Sequence, residues 1–556
     1  MILQTALISS LEKVFYDGEL NVTPISRATA LQGEVFSFQL AVRNRTACGP
    51  ENFMQVTVKF HTDCALPVEI REVESVPVDI PCNLSDSVMV RRTPGLYPDL
   101  LSALPERCTR LAANQWRTFW VTVRVPADCA AGEYLVTISM ENVLIDGRLI
   151  DNAEVVSRTF TLEVLDAKPE KQKLICYQWF HCDCLATYYK VPVWSEEHFR
   201  IIENFVRCMV NHGGNMLMVP LWSLPLDTEI GAERPTAQLL KIRRDAGGKY
   251  TFDFTLLEKY LDMAARCGVE YYGMSHAFTQ WGAAATPKIM AEVDGTEQRI
   301  FGWDVPADSP AYADFQKQLM KELLPLLRKR GLEKNVFFSV SDEPHEDHLE
   351  AYAKASGLME SVLEGFPIQD ALSCIKFYEN GLVKNPVPSN NHIEDFYGKV
   401  SPLWTYYCIS QERDVPNRFI AMPSVRNRVL GVLCYLYDIA GFLQWGYNFY
   451  YSVRSQYPIN PYRDTCAGNW TTGGDAFVVY PGPDGMPEDS LRHEVFREAI
   501  QDLNALRALE KKIGRDAVTA LIHEGLTEPL KMNRYPVSAD WLLQLRERVN
   551  RALAGA

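Results

Sequence analysis

The sequence predicts a multidomain chain. Residues 1–167 read as an N-terminal antiparallel β-sandwich, 168–489 as a (β/α)8 barrel of the TIM type, and 490–556 as a helical extension packed on that barrel. Three observations carry this reading. Short strands of alternating polarity fill the chain up to Leu165. A polar segment containing Pro169 then interrupts the pattern. Beyond it, apolar strands alternate with amphipathic helices over roughly 300 residues, the rhythm of a βα-repeated barrel.

In the first region Phe36, Phe38, Leu40 and Val42 fall on one face of a strand. Between Trp116 and Val125, Phe119, Val121, Val123 and Val125 oppose Thr118, Trp120, Thr122 and Arg124. Ala131 to Tyr134 turns into a strand over Leu135 to Met140, and Thr159 to Leu165 forms another. Short strands punctuated by Gly, Pro and Asp suggest a sandwich. After the linker, Ser195 is placed to cap a helix whose Phe199, Ile202, Phe205, Val206 and Met209 share a face. Gly213 and Gly214 stop it, and Asn215 to Val219 is a strand. The cycle recurs: a helix ending at Gly268 precedes the strand Val269 to Met274, and a helix ending at Gly331 precedes Asn335 to Val340. A helix after Asp347 leads to Pro367–Ser373, and one over Val425–Ile439 leads to Gly441–Trp445. A doubly wound open sheet is the alternative, but no GxGxxG or GxxxxGK[ST] run supports nucleotide binding.

Composition narrows the function. A net charge of -14 argues against nucleic acid, whose phosphates need a basic footprint. No segment approaches the ~20 apolar residues of a bilayer span, so no membrane insertion is expected. The first residues lack a basic n-region, and Glu12 and Lys13 interrupt their apolar stretch, so no secretory signal is read. The fourteen cysteines show no framework spacing and read as reduced thiols of a cytoplasmic protein. The sequons at Asn21, Asn44, Asn83 and Asn469 are then expected to be unused.

In a barrel, chemistry gathers at the C-terminal ends of strands. Those ends supply His181 and Asp183, then His276 with Trp281, then Asp342 and Glu343, then Trp404 and Tyr407, and finally Trp445, Tyr447 and Asn448; Asp475 follows in a Gly-Asp run. Carboxylates, histidines and aromatics together suit a sugar, because rings stack on its apolar face and polar groups bind its hydroxyls. Cleaving a glycosidic bond needs an acid for the leaving oxygen and negative charge near an oxocarbenium-like centre.

Asp342–Glu343 is the sharpest feature. Two close carboxylates raise one pKa and keep one proton near neutrality. The structural alternative is a helix cap with Pro344 in the first turn. Neighbours on an ideal strand point to opposite faces, so a bend is required for both to reach one sugar. Adjacent carboxylates fit a substrate that supplies its own nucleophile better than they fit flanking positions on a ring.

Other clusters carry less. His181-Cys-Asp-Cys184 resembles a metal cluster, but no partner pair at ligand spacing accompanies it, and hydroxyl binding is preferred; no metal or other cofactor is expected. His345-Glu-Asp-His348 is not HExxH and reads as a solvated loop or helix face, while His212-Gly-Gly214 reads as a helix stop. Core packing is the competing role for Trp404, Tyr407, Tyr447 and the other aromatics, and a satisfied buried histidine is the competing role for His276.

Four segments occur in a telling order: Ser341-Asp-Glu-Pro344, Gly441-Phe-Leu-Gln-Trp-Gly-Tyr-Asn448, Gly474-Asp-Ala-Phe-Val-Val-Tyr-Pro-Gly482 and Ser490 to Asp502. Together they resemble glycoside hydrolase family 123 and the wider group called domain of unknown function 4091. The likeness extends from about Gly33 to Asp502 and is strongest after Val336. It implies a β-sandwich before a (β/α)8 barrel and an exo-acting β-N-acetylgalactosaminidase that retains configuration. In such enzymes the 2-acetamido oxygen attacks the anomeric carbon and gives an oxazoline-type intermediate. Asp342 would then orient the acetamido group, and Glu343 would be the general acid and then the base. Two other readings stay open: a glycosidase using Asp183 or Asp475 as nucleophile, and a non-catalytic glycan-binding protein. The partner expected in each case is a small glycan or glycoconjugate; a homo-oligomer is compatible with all three.

Overall fold

The structure is a computed structural model that describes residues 3–45, 55–82, 86–145, 148–149 and 155–555. The Asn83 sequon lies outside the described residues. The chain forms two compact units. One gathers Met1–Lys173, Pro416–Leu436 and Glu488–Ala556; the other gathers Leu174–Val415 and Tyr437–Pro487.

The first unit holds two sheets. In one, the strands Leu3–Ser9, Val35–Asn44, Trp116–Arg124, Val68–Val78 and Gly95–Ala103 lie side by side, all antiparallel. In the other, Arg27–Leu31, Val155–Leu165, Gly132–Ile145, Val56–Asp63 and Cys108–Leu111 follow in that order, with only the first pair parallel. The polarity alternation read from the sequence becomes the core. Phe38, Leu40, Val42, Phe119, Val121 and Val123 pack with Val58, Phe60, Ile138 and Phe160 in one buried cluster, as the two-residue period of a strand requires.

The helices of the C-terminal extension, expected on the barrel, belong to the sandwich unit instead. So does the Ser424–Leu436 helix, which was expected to be one of the barrel's own. The Leu491–Ile513 helix lies against the polar face of the first sheet: Arg71 donates to Thr122 Oγ1 (3.2 Å) and pairs with Glu494, and Arg492 forks onto Asp99 (2.8 and 2.9 Å). Arg428 reaches Glu498 (2.8 Å) and Asp502 (2.8 and 3.0 Å) from the neighbouring helix. The two helices approach closely, since a Cβ on Gly431 would sit 2.0 Å from the Ala499 carbonyl oxygen. Amphipathicity shows that a helix buries a face but not what covers it. Here charged side chains of the helix are buried as ion pairs, where losing either partner is costly.

The second unit is built on a curled parallel sheet of six strands, ordered Val336–Phe337, Tyr271–Met274, Met216–Val219, Ile175–Gln178, Ile439–Gln444 and Leu403–Tyr406. Gln369–Ala371 pairs in parallel with Asn385–Val387. Isolated parallel bridges join Phe338 to Ile368 and Ser389 to Tyr406. The other expected helices fill the connections. In Glu196–Asn211, Ser195 Oγ accepts from His198 N–H and His212 is the C-cap before Gly213. Two further hairpins, Lys241–Arg244 with Tyr250–Asp253 and Ile289–Val293 with Thr296–Phe301, form a four-stranded sheet that the sequence reading did not identify. Its second turn, Asp294-Gly295, carries the hairpin signal.

No helix among the described residues is long and apolar enough to cross a membrane. No disulfide joins the described cysteines.

Candidate active site

The extended segment after Val336–Phe337 is held on both sides. Ala277 and Phe278 donate backbone N–H groups to the Ser339 and Val340 carbonyls, both at 2.9 Å. Val340 N–H donates to both carboxylate oxygens of Asp370 (2.9 and 3.2 Å), and Ser341 Oγ donates to the Thr279 carbonyl (2.8 Å). Glu343 then turns with φ 42°. This left-handed residue bends the chain between two adjacent carboxylates, and such strain persists only where the surroundings fix it. They do: the Asp342 carbonyl accepts from Trp281 N–H (2.8 Å), and Glu343 N–H donates to the Ala371 carbonyl (3.0 Å). Neither carboxylate caps a helix. The next element is the turn Glu346–His348, with His345 as its N-cap.

Both carboxyl groups are half-buried. Burial pushes the Asp342 pKa well above its ordinary value, and the neighbouring Glu343, Asp227 and Asp370 carboxylates add to the shift. Tyr406 donates its hydroxyl to Glu343 Oε1. Burial and the Glu343 charge push the Tyr406 pKa well above its usual range, so it remains a donor. Burial pushes Asp227 up to about 7, with Arg234 opposing and Glu343 reinforcing. Asp370 is also pushed up to about 7 by burial, despite bonds from Tyr352 and the backbone. The dyad thus sits in a group of carboxyls that hold protons toward neutrality, the condition for acid–base work.

Most of the other predicted residues form structural contacts. His181 and Asp183 are not on a strand: His181 is the N-cap of the Cys182–Tyr189 helix and Asp183 lies in its first turn. Asp183 is buried in a bidentate pair with Arg234 (2.9 and 2.8 Å), whose guanidinium also lies 3.2 Å from His181 Nδ1. Asn448 brackets the His181 peptide, accepting from its N–H (2.9 Å) and donating to its carbonyl (3.2 Å), and His181 Nε2 lies 3.0 Å from the Trp445 carbonyl. Burial and Arg234 lower His181 to about 3. Burial raises the Cys182 thiol to about 12 and the Cys184 thiol well above its usual value. Asp475 accepts from Trp445 Nε1 (3.0 Å). Tyr447 donates to the Phe205 carbonyl (2.9 Å) and stacks on Phe180. Trp404 lies edge-on to Phe337 at 5.8 Å and over Gly441, and Tyr407 lies against Phe442 at 4.9 Å.

Trp281 is half-buried, with φ 57° and Arg454 6.0 Å from its ring. His276 is buried, lowered to about 3, and edge-on to Trp179 at 5.2 Å. His276 Nδ1, Trp179 Nε1, Ser275 Oγ, Thr471 Oγ1 and Thr472 Oγ1 are buried without a hydrogen-bond partner among the described residues. Native interiors rarely leave such atoms unpaired.

The sequence reading missed Tyr406, Asp227, Arg234 and Trp179. Tyr406 was detectable: on the strand Leu403–Tyr406 it shares a face with Trp404, whereas Tyr407 does not. Asp227 and Arg234 lie in a long connection without local pattern, so only folding reveals them.

The family described as "Glycoside hydrolase 123, catalytic domain" matches residues 179–509. No curated protein matches the sequence. Among solved structures, a family 123 glycoside hydrolase from Clostridium perfringens, described in terms of glycolipid glycan hydrolysis, superposes with a TM-score of 0.75 at 16% identity, covering 100% of this chain and 98% of that one. That likeness shows a shared fold. A family 5 mannosidase from Rhizomucor miehei has a TM-score of 0.33 at 14% identity, covering 63% of this chain and 96% of its own. A family 2 β-galacturonidase from Eisenbergiella tayi has a TM-score of 0.31 at 10% identity, covering 90% of this chain and 97% of its own. These last two are too distant to carry an argument.

Proposed function

The chain belongs to glycoside hydrolase family 123, and we propose that it is a retaining exo-glycosidase that removes terminal β-linked N-acetylgalactosamine by substrate-assisted catalysis. The observation that carries this reading is the bent Asp342–Glu343 pair, with Glu343 at φ 42° and the Asp342 pKa pushed well up. In the first step the acetamido carbonyl oxygen bonds to the anomeric carbon while the glycosidic C–O bond breaks, and Glu343 gives its proton to the leaving oxygen. Asp342 accepts the acetamido N–H. That contact favours the Asp342 carboxylate over its protonated form. In the second step Glu343 takes a proton from water, the water oxygen bonds to the anomeric carbon, and the oxazoline opens to regenerate the acetamide. Two inversions give retention.

Asp183 and Asp475, the alternative nucleophiles, are engaged by Arg234 and Trp445, which supports assistance by the substrate. The bridges at Phe338–Ile368 and Ser389–Tyr406 support reading the eight parallel strands as a closed (β/α)8 barrel. The described cysteines, none of which is in a disulfide, favour a reducing, cytoplasmic compartment and a short oligosaccharide or glycoconjugate as substrate.

A screen of aryl glycosides with and without 2-acetamido groups, repeated with a thiazoline inhibitor, tests this. Turnover is expected on aryl β-N-acetylgalactosaminide, with inhibition by the thiazoline. Glu343→Gln and Asp342→Asn should each lower kcat by ~100- to 10,000-fold. Full activity in either variant, or thiazoline-insensitive turnover of glycosides lacking the acetamido group, would overturn the mechanism.

A further inference from the structure

Beside the dyad stands a third carboxylate that the mechanism above does not use. Asp227 lies in the connection after the Met216–Val219 strand, is half-buried, and has φ 46°. Its main chain is fixed at both ends: its N–H donates to Gln280 Oε1 (2.5 Å), and its carbonyl accepts from Ser455 Oγ (2.7 Å). Both anchors belong to the site. Gln280 precedes Trp281, whose N–H holds the Asp342 carbonyl at 2.8 Å. Ser455 follows Arg454, which lies 6.0 Å from the Trp281 ring. Arg454 and Ser455 are themselves left-handed, with φ 51° and 57°, and the Arg454 carbonyl accepts from Glu229 N–H (3.0 Å). Three strained loops therefore converge on the dyad and lock the Asp227 backbone.

The Asp227 side chain is treated differently. Among the described residues no hydrogen bond to its carboxylate is recorded, although the field of Asp342, Glu343 and Arg234 reaches it. A half-buried carboxylate near two others is unfavourable unless a partner compensates it. A rigid backbone with an uncompensated acceptor is how a scaffold presents a group to a ligand.

We infer that Asp227 is a substrate-binding residue that accepts a hydrogen bond from a ring hydroxyl of the terminal sugar and selects for it. This rests on the glycosidase reading above. Gln280 and Ser455 are positioning residues: they set the direction of the Asp227 carboxylate and do not touch the sugar.

The test is a kinetic cycle on aryl β-N-acetylgalactosaminide and its monodeoxy derivatives lacking the C3, C4 or C6 hydroxyl, with wild type, Asp227→Ala and the near-isosteric Asp227→Asn. A site built to bind a hydroxyl strongly rejects the analogue without it, so wild type should lose at least ~100-fold in kcat/KM on one derivative. Asp227→Ala should be slow on the parent and lose no more than about threefold further on that derivative. Asp227→Asn, checked by its melting curve, shows that a loss is not misfolding. Undiminished penalties at all positions in the variants, or variant activity within about threefold of wild type on the parent, would overturn the inference. If wild type turns over a different aryl glycoside, the sugar assignment fails while the deoxy series built on that glycoside still tests Asp227. If wild type turns over none, both fall.

Discussion

Tyr406 donates its hydroxyl to Glu343 Oε1, linking the end of the Leu403–Tyr406 strand to the proposed acid in the bend beyond the Val336–Phe337 strand. A hydrogen bond to a charged group is worth about 1.5–3 kcal/mol. Tyr406→Phe should therefore lower kcat/KM on the aryl substrate by about 10- to 100-fold while leaving KM nearly unchanged. Tyr407→Phe, which alters the opposite face of the strand, should leave kcat/KM within a few-fold of wild type. Equal effects of the two substitutions would remove Tyr406 from the site.

The raised carboxyls predict how stability responds to pH. Asp227 and Asp370 have an ordinary value of 3.8 and are held at about 7 in the folded chain. Each binds its proton more tightly when folded. Its contribution is complete below the unfolded value and is lost as pH rises toward the folded one. Wild type should lose melting temperature from these groups between about pH 4 and pH 7. Asp227→Asn cannot ionise, so relative to wild type it should gain thermal stability as pH increases across that window. Melting curves of both proteins at several pH values check this; parallel profiles would show that Asp227 is not shifted.

The Asp183–Arg234 pair gives a prediction that separates structure from binding. Both residues are buried, and Arg234 also contacts the His181 ring. Arg234→Met leaves a buried carboxylate without its partner and should cost about 3–5 kcal/mol in denaturant unfolding. Replacing both partners, with Asp183→Leu added, should recover part of that loss, because a pair of apolar side chains leaves no buried charge. If Arg234→Met unfolds like wild type but binds sugar poorly, Asp183 belongs to the substrate site rather than to its support.

The local patterns that were legible share one property: they depend on short-range periodicity. Phe38, Leu40 and Val42 alternate because a strand repeats every two residues, and they form the sandwich core. Ser195 caps its helix because an orphan N–H lies three residues away. The His181–Cys184 stretch went wrong for the same reason in reverse. Its apolar approach continues a strand pattern, but Arg234, some fifty residues later, pairs with Asp183 in the helix that starts there. The Leu491–Ile513 helix shows the same limit at larger scale. It reads as an amphipathic tail, and only the fold brings Arg71, Asp99 and Arg428 from distant strands and helices to pair with its charges.

The sequence by itself determined the alternation of most strands and helices, the family, and the pair of carboxylates just beyond one strand. Each is written in neighbouring residues, either as a repeat in polarity or as a run such as Ser341-Asp-Glu-Pro344. Tertiary structure alone decided the surroundings of those carboxylates. The left-handed Glu343, the Tyr406 hydroxyl and the Asp227 loop act across separations of tens to more than a hundred residues. Hydrogen bonds and charge interactions are set by distance in space, and no local pattern encodes which loops the fold will bring together.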